Sequence, residues 1–240
     1  GTTVEPGDVL LYVAGVVAHP DFVEEFDDEL RTPGIRVPLT ASGDLWREAV
    51  EIGRLVIWLN TLGAAGEHPD GLATIGELRA SNPNLPSHVE AVRELPTGLT
   101  YEPDIEGGTL SLGGGRWTNV SQGVRDYAMG GANVIDRWLA SRLKDPRGRR
   151  SSDLDNINAL SWQAEWSADL TDALVAMATL LDIHDRQADL LARVLEGPLI
   201  SREQLLASDV SLGAGEDVGQ AATDDASQGT LDLDLGTTDA

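Results

Sequence analysis

Leu99-Thr100-Tyr101 and Thr109-Leu110-Ser111-Leu112, set apart by Gly107-Gly108 and followed by Gly113-Gly114-Gly115-Arg116, decide the fold. Short runs of this kind between glycine turns predict β-strands, and the glycine triplet predicts a hairpin turn. The sequence on either side is mostly of helical character. The chain therefore reads as α+β. A helix-rich body carries a small β-sheet or hairpin group, built from roughly 35–40 and 97–120, and ends in a disordered acidic C-terminal tail.

Upstream, Val9 to His19 is a compact apolar run, with Pro6 suited to a first helical turn and Pro20 ending or restarting the helix. Phe22, Val23, Phe26 and Leu30 then recur at helical spacing among Glu24, Glu25, Asp27, Asp28 and Glu29. Ile35 to Leu39 reads as a short extended piece. Ser42 or Asp44 caps a helix over Leu45 to Leu62, with a stripe through Ala49, Ile52, Val56 and Leu59. Residues 63–96 hold four prolines and read as loop. Downstream, helices are expected over Asn133–Leu143, Ala159–Leu181 and Arg186–Leu195, with a break near Asp182-Ile183-His184. Residues 1–207 are expected to form one domain. Beyond about Ser208, Gly, Ala, Ser, Thr and Asp dominate and aromatics are absent, so 208–240 cannot bury enough apolar surface to offset ordering entropy.

The 240 residues carry a formal net charge of -23, and no cysteine is present, which excludes disulfides and thiolate metal sites. No stretch is apolar enough to span a bilayer, and no basic-then-apolar leader opens the chain. A cytoplasmic protein is expected, and the initial Gly suggests a piece of a longer polypeptide. Against this acidity, 116–150 holds eight of the seventeen Lys and Arg and only three Asp. A cationic island in an acidic chain is where a polyanion can be held.

Several chemistries are excluded. The one lysine, Lys144, is followed by Asp145, so no phosphate-binding Gly-Lys-Ser/Thr loop exists. The acid–x–lysine pattern of restriction nucleases fails, because Arg142 stands two before Lys144. Asn82-Pro83-Asn84-Leu85 lacks the second proline and the aromatic of an amino-methyltransferase tetrad. His19, His68, His88 and His184 form no metal-ligand pair. Asp153 to Asn158 lacks the glycine of a calcium loop, and Ala164 stands where its last ligand would be. The run Glu24 to Glu29 has no partner nucleophile and reads as a wetted helix face.

Two segments carry a likeness. One is Leu10-Leu11-Tyr12-Val13-Ala14-Gly15-Val16-Val17-Ala18-His19-Pro20-Asp21-Phe22, with Arg36-Val37-Pro38-Leu39 after it. The other runs from Val124-Arg125-Asp126-Tyr127-Ala128-Met129-Gly130-Gly131 through Asn133 and Trp138 to Arg142. Together they resemble the C-terminal specificity region of type ISP restriction–modification enzymes, over roughly residues 5–200. The resemblance implies sequence-specific recognition of double-stranded DNA by a non-catalytic bacterial module. It also implies an adenine methyltransferase elsewhere in the parent chain, with S-adenosylmethionine and ATP/Mg as the parent's cofactors and a role in phage defence. The strong acidity and the tail depart from what a DNA reader suggests.

Within that reading, Lys144, Arg147, Arg149, Arg150 and Ser151 form a loop suited to phosphates, shaped by Pro146 and Gly148. Arg142 precedes it. Arg116 and Arg125 are candidates from the preceding hairpin, and Tyr127 either touches a sugar–phosphate edge or is buried. Gly130-Gly131 supplies a tight turn before a helix. Asn133 either caps that helix or reads adenine. Trp138, Trp162 and Trp166 read as packing residues. Two other readings stay open: a protein-interaction or scaffold domain with an incidental basic loop, and an acidic DNA mimic.

Overall fold

The structure, a computed structural model, describes residues 4–32, 37–105, 107–143 and 161–207. The basic loop expected from Lys144 to Ser151 and the acidic tail expected over 208–240 lie outside them. The class is α+β, as expected. In chain order come α1 (Pro6–Val17), α2 (Pro20–Glu25), α3 (Asp27–Leu30), α4 (Gly43–Asn60), α5 (Ile75–Ser81) and strands β1 (Ser87–Glu90), β2 (Leu99–Glu102), β3 (Gly108–Leu112) and β4 (Gly115–Val120). Then follow α6 (Gln122–Asp126), β5 (Ala128–Met129), β6 (Ala132–Asn133), α7 (Val134–Ala140), α8 (Ala164–Glu196) and α9 (Arg202–Ala207).

The helical core forms where α1 and α4 press backbone against backbone. A Cβ on Gly15 would run into the Ala49 carbonyl, and one on Gly53 into the Leu11 carbonyl, so both positions need glycine. Tyr12 stacks on Trp46 with centroids 4.3 Å apart. Its hydroxyl donates to the Pro38 carbonyl (2.7 Å) and accepts from the Thr40 N–H (3.1 Å). The Val37–Leu39 stretch is thereby a strap pinned by Tyr12. It pairs with no strand of the sheet, which corrects the expectation that 35–40 contributes one. Only Thr40 makes an isolated bridge, to Leu199.

The sheet is antiparallel in the order β1-β4-β3-β2: the two strands expected in the 97–120 region are β2 and β3, the region supplies a third in β4, and β1 adds a fourth from the supposed loop. Gly113 and Gly114, both at positive φ, turn β3 into β4. Leu110, Leu112, Trp117 and Val120 point into a second core with Ile135 of α7 and Leu170, Leu174 and Met177 of α8. The fully buried Trp117 donates from Nε1 to the Thr171 hydroxyl at 2.9 Å.

One rod joins the two cores. α8 runs 33 residues, about 50 Å at 1.5 Å per residue, with no break at Asp182-Ile183-His184. That triplet holds neither Gly nor Pro, and a polar residue on an exposed face does not interrupt a helix. Ile183 packs on the helical core while Asp182 faces solvent. Gln187, fully buried, donates to the Gly15 carbonyl at 3.2 Å, and Arg193 clasps Glu48 of α4 through two bonds of 2.8 and 2.9 Å. Residues from 200 onward cluster as a second unit, whose described part is α9, capped by the Ser201 hydroxyl.

Candidate nucleic-acid interface

Four cations of the basic island are described, and three of them, Arg116, Arg125 and Arg142, occupy different settings, each beside a carboxylate. Arg116 on β4 meets Glu90 of β1 across the sheet at 2.7 Å, with both side chains about half exposed. Arg125 on α6 bonds Asp136 at 3.0 Å and the Asn133 side-chain oxygen at 3.2 Å. Asn133 is spent locally: its oxygen accepts from the Asp136 N–H at 2.9 Å, capping α7, and its amide donates to the Arg125 carbonyl at 2.7 Å. The capping alternative is therefore the one the geometry carries. Arg142 lies 3.8 Å above the Trp138 ring and 3.5 Å from Asp169, and donates to the Trp138 carbonyl at 3.1 Å.

Around Arg142 the chain builds an aromatic platform. Trp138 and Trp162 have centroids 6.1 Å apart, and Trp166 meets Trp162 edge-on at 5.3 Å. Trp162 donates from Nε1 to Ser167 at 2.9 Å, which fixes its indole at the start of α8. All three tryptophans are part-buried, so they pack, as expected, yet keep an exposed edge. Trp138 precedes the 144–160 segment and Trp162 follows it. The described residues on either side of that segment are thus joined in one aromatic cluster. Beside it opens a cavity of about 480 Å³ lined by Arg79, His88, Val92, Trp162, Ser167 and Thr171. Arg79 makes no ion pair among the described residues. It sits on α5, inside the stretch that composition assigns to loop, which is why sequence reasoning passed over it.

Tyr127 and the glycine pair lie in another place. Gly130 (φ 57°) and Gly131 (φ 77°) make the two-residue turn of the β5–β6 hairpin, a conformation that glycine reaches without strain. Tyr127 is half-buried against both cores, and burial pushes its phenol pKa up. It lines a second cavity, of about 710 Å³, together with His19, Met129, Leu180 and His184. The two likeness-bearing segments, a hundred residues apart in sequence, meet there. Lys144, Arg147, Arg149, Arg150 and Ser151 lie outside the described residues.

No group of three or more His, Asp or Glu is placed to hold a metal ion among the described residues, and no helix there is long and apolar enough to cross a membrane. The arrangement is one of positioning: guanidinium groups, indole edges and a capped short helix, with no nucleophile–base pair among them. Comparison with known families gives it a class. The model of the type ISP C-terminal specificity domain matches residues 1–173, and the chain belongs to that family. No curated protein and no solved structure matches the chain.

Proposed function

We propose that this domain reads a short sequence in double-stranded DNA for a restriction–modification enzyme, with adenine methylation performed by another part of the same polypeptide. Family membership supports recognition as the role. The observation that carries the site is the aromatic cluster of Trp138, Trp162 and Trp166 with Arg142, which joins the described residues on either side of the segment containing Lys144, Arg147, Arg149, Arg150 and Ser151. A cationic loop with fixed ends loses less freedom on gripping phosphates than a free one. Arg116 joins it at little cost, because an exposed pair such as that with Glu90 is worth about 0–1 kcal/mol. Arg125, Tyr127 and Asn133 serve by holding the hairpin and α7 in place. The parent's S-adenosylmethionine and ATP/Mg act outside this domain, and the enzyme works in the cytoplasm.

Neutralising Arg147, Arg149 and Arg150 together tests the reading. Each lost phosphate contact removes about 0.9 from the slope of log affinity against log salt. Filter binding across a salt series is expected to show weaker binding and a shallower slope. An unchanged slope removes the loop from the interface. It would then favour a protein-docking module without nucleic-acid contact, a reading favoured by the carboxylate partners of Arg116, Arg125 and Arg142.

A further inference from the structure

The second cavity has a chemistry of its own. One wall is the α1–α2 corner, with His19 at its apex, and the opposite wall is the β5–β6 hairpin. His19 is 5% exposed. Its Nε2 donates to the Val16 carbonyl at 2.9 Å, which leaves Nδ1 as an acceptor, and that atom is buried without a partner. Burial lowers the pKa of His19 and of His184 across the cavity, so both are neutral near pH 7. At the rim stand the carboxylates of Glu24 and Asp27, the latter taking Arg31 at 2.5 Å. Two large apolar side chains lie open on the same rim, Val23 at 53% and Met129 at 58% exposure.

Three features fix what would fill such a site. The buried acceptor and the rim carboxylates call for an occupant that donates hydrogen bonds and carries positive charge. The exposed Val23 and Met129 call for apolar surface beside that charge. The run from Asp21 to Glu29 holds six acids and no base, so it repels a phosphate backbone, and it repels a second copy of a chain of net charge -23. We propose that this cavity docks a protein segment that presents a lysine or arginine next to an aliphatic side chain. The surface is distinct from the aromatic and arginine-bearing side that takes the DNA role.

The chain reports on this itself, because it has two methionines. Met129 lies at the cavity rim, and Met177 is buried in the sheet core. With methyl-labelled methionine in the full chain, titration by the peptide acetyl-Arg-Leu-Arg-Leu-amide is expected to move the Met129 methyl signal saturably, with a dissociation constant on the order of 1 mM. The Met177 signal stays in place. Exchanging both rim acids, Glu24→Gln with Asp27→Asn, is expected to weaken binding about fivefold, as does screening by salt. Both side chains are exposed, so the variant keeps the fold. Equal binding of acetyl-Glu-Leu-Glu-Leu-amide overturns the proposal, as does an unaffected double variant or a Met129 signal that never saturates. So does a Met129 shift driven by short duplex DNA, which would give the cavity to nucleic acid. Loss of DNA binding in the Arg147, Arg149 and Arg150 variant leaves this result untouched, so the two proposals fail separately.

Discussion

The two halves of the fold that α8 joins are packed by opposite means. In the helical half, α1 and α4 touch backbone to backbone at Gly15 and Gly53, and Gln187 of α8 bonds the Gly15 carbonyl. In the sheet half, contact runs through large side chains, above all Trp117 against Thr171 and the Leu170–Leu174 face of α8. A backbone contact tolerates no added atom. A side-chain contact tolerates no missing one. The comparison also separates two kinds of family-like residue. Tyr12 and Gly15 build the scaffold, whereas Tyr127, Gly130 and His19 line a cavity.

Trp117→Ala breaks the side-chain half and has the largest expected effect. It empties the centre of the sheet core and leaves the Thr171 hydroxyl without its donor, costing about 3–5 kcal/mol. Gly53→Ala breaks the backbone half. The new methyl collides with the Leu11 carbonyl, which belongs to a helix and cannot yield alone, so α1 must lift, at about 2–3 kcal/mol. Calorimetry on both variants sharpens the comparison. Since α8 threads both cores, each variant is expected to shift one common transition. Two separate transitions would show that the halves fold independently.

Tyr12→Phe is a smaller probe of the backbone half. The ring keeps its stack on Trp46, but the Pro38 carbonyl and the buried Thr40 N–H lose their shared partner. The expected cost is about 1–3 kcal/mol by urea titration. A neutral outcome would mean that the 37–40 strap finds other partners and that the tyrosine matters only for its ring.

Much of this architecture is written locally. Helices α1, α2 and α4 follow from apolar spacing and from Pro6, Pro20 and Ser42 at their starts, and β2 to β4 follow from glycine turns. The missed elements fail for identifiable reasons. Helix α5 carries a capping signal, Thr74 with Glu77 three residues on, and Thr74 does accept from the Glu77 N–H at 3.1 Å. Its seven residues, set between Pro69 and Pro83, are too few to show a helical period. Strand β1 has no local signal: its four residues make only three pairs with β4 some thirty positions later, and His88 stacks on Trp117 at 4.4 Å. The break expected near Asp182-Ile183-His184 is absent, because the triplet holds no Gly or Pro and Ile183 keeps the helix packed on the core. Of the candidate site, the cationic island was legible as composition. Which carboxylate each arginine meets was not, because Glu90, Asp136 and Asp169 come from three separate elements.

The smallest expected effect concerns pH and falls on the cavity where the halves of the motif meet. His19 and His184 both have pKa values below the ordinary 6.5, chiefly because burial disfavours their charged forms. Asp21 pulls both upward, Asp185 pulls His184 upward, and His184 pushes His19 further down. In the unfolded chain each takes up a proton near 6.5, while in the folded chain each resists until the pH is lower. The unfolded state therefore binds more protons in that window, and stability falls as pH drops through it. Above 6.5 the full contribution is present. Thermal melts between about pH 7 and 5 are expected to show a declining midpoint. The decline is expected to flatten in a His19→Gln, His184→Gln double variant, while Tyr12→Phe, which leaves both imidazoles in place, shifts the curve down without changing its slope. An unaltered slope in the double variant would assign the acid sensitivity to the carboxylates of the acidic face and separate the cavity from the stability of the helical core.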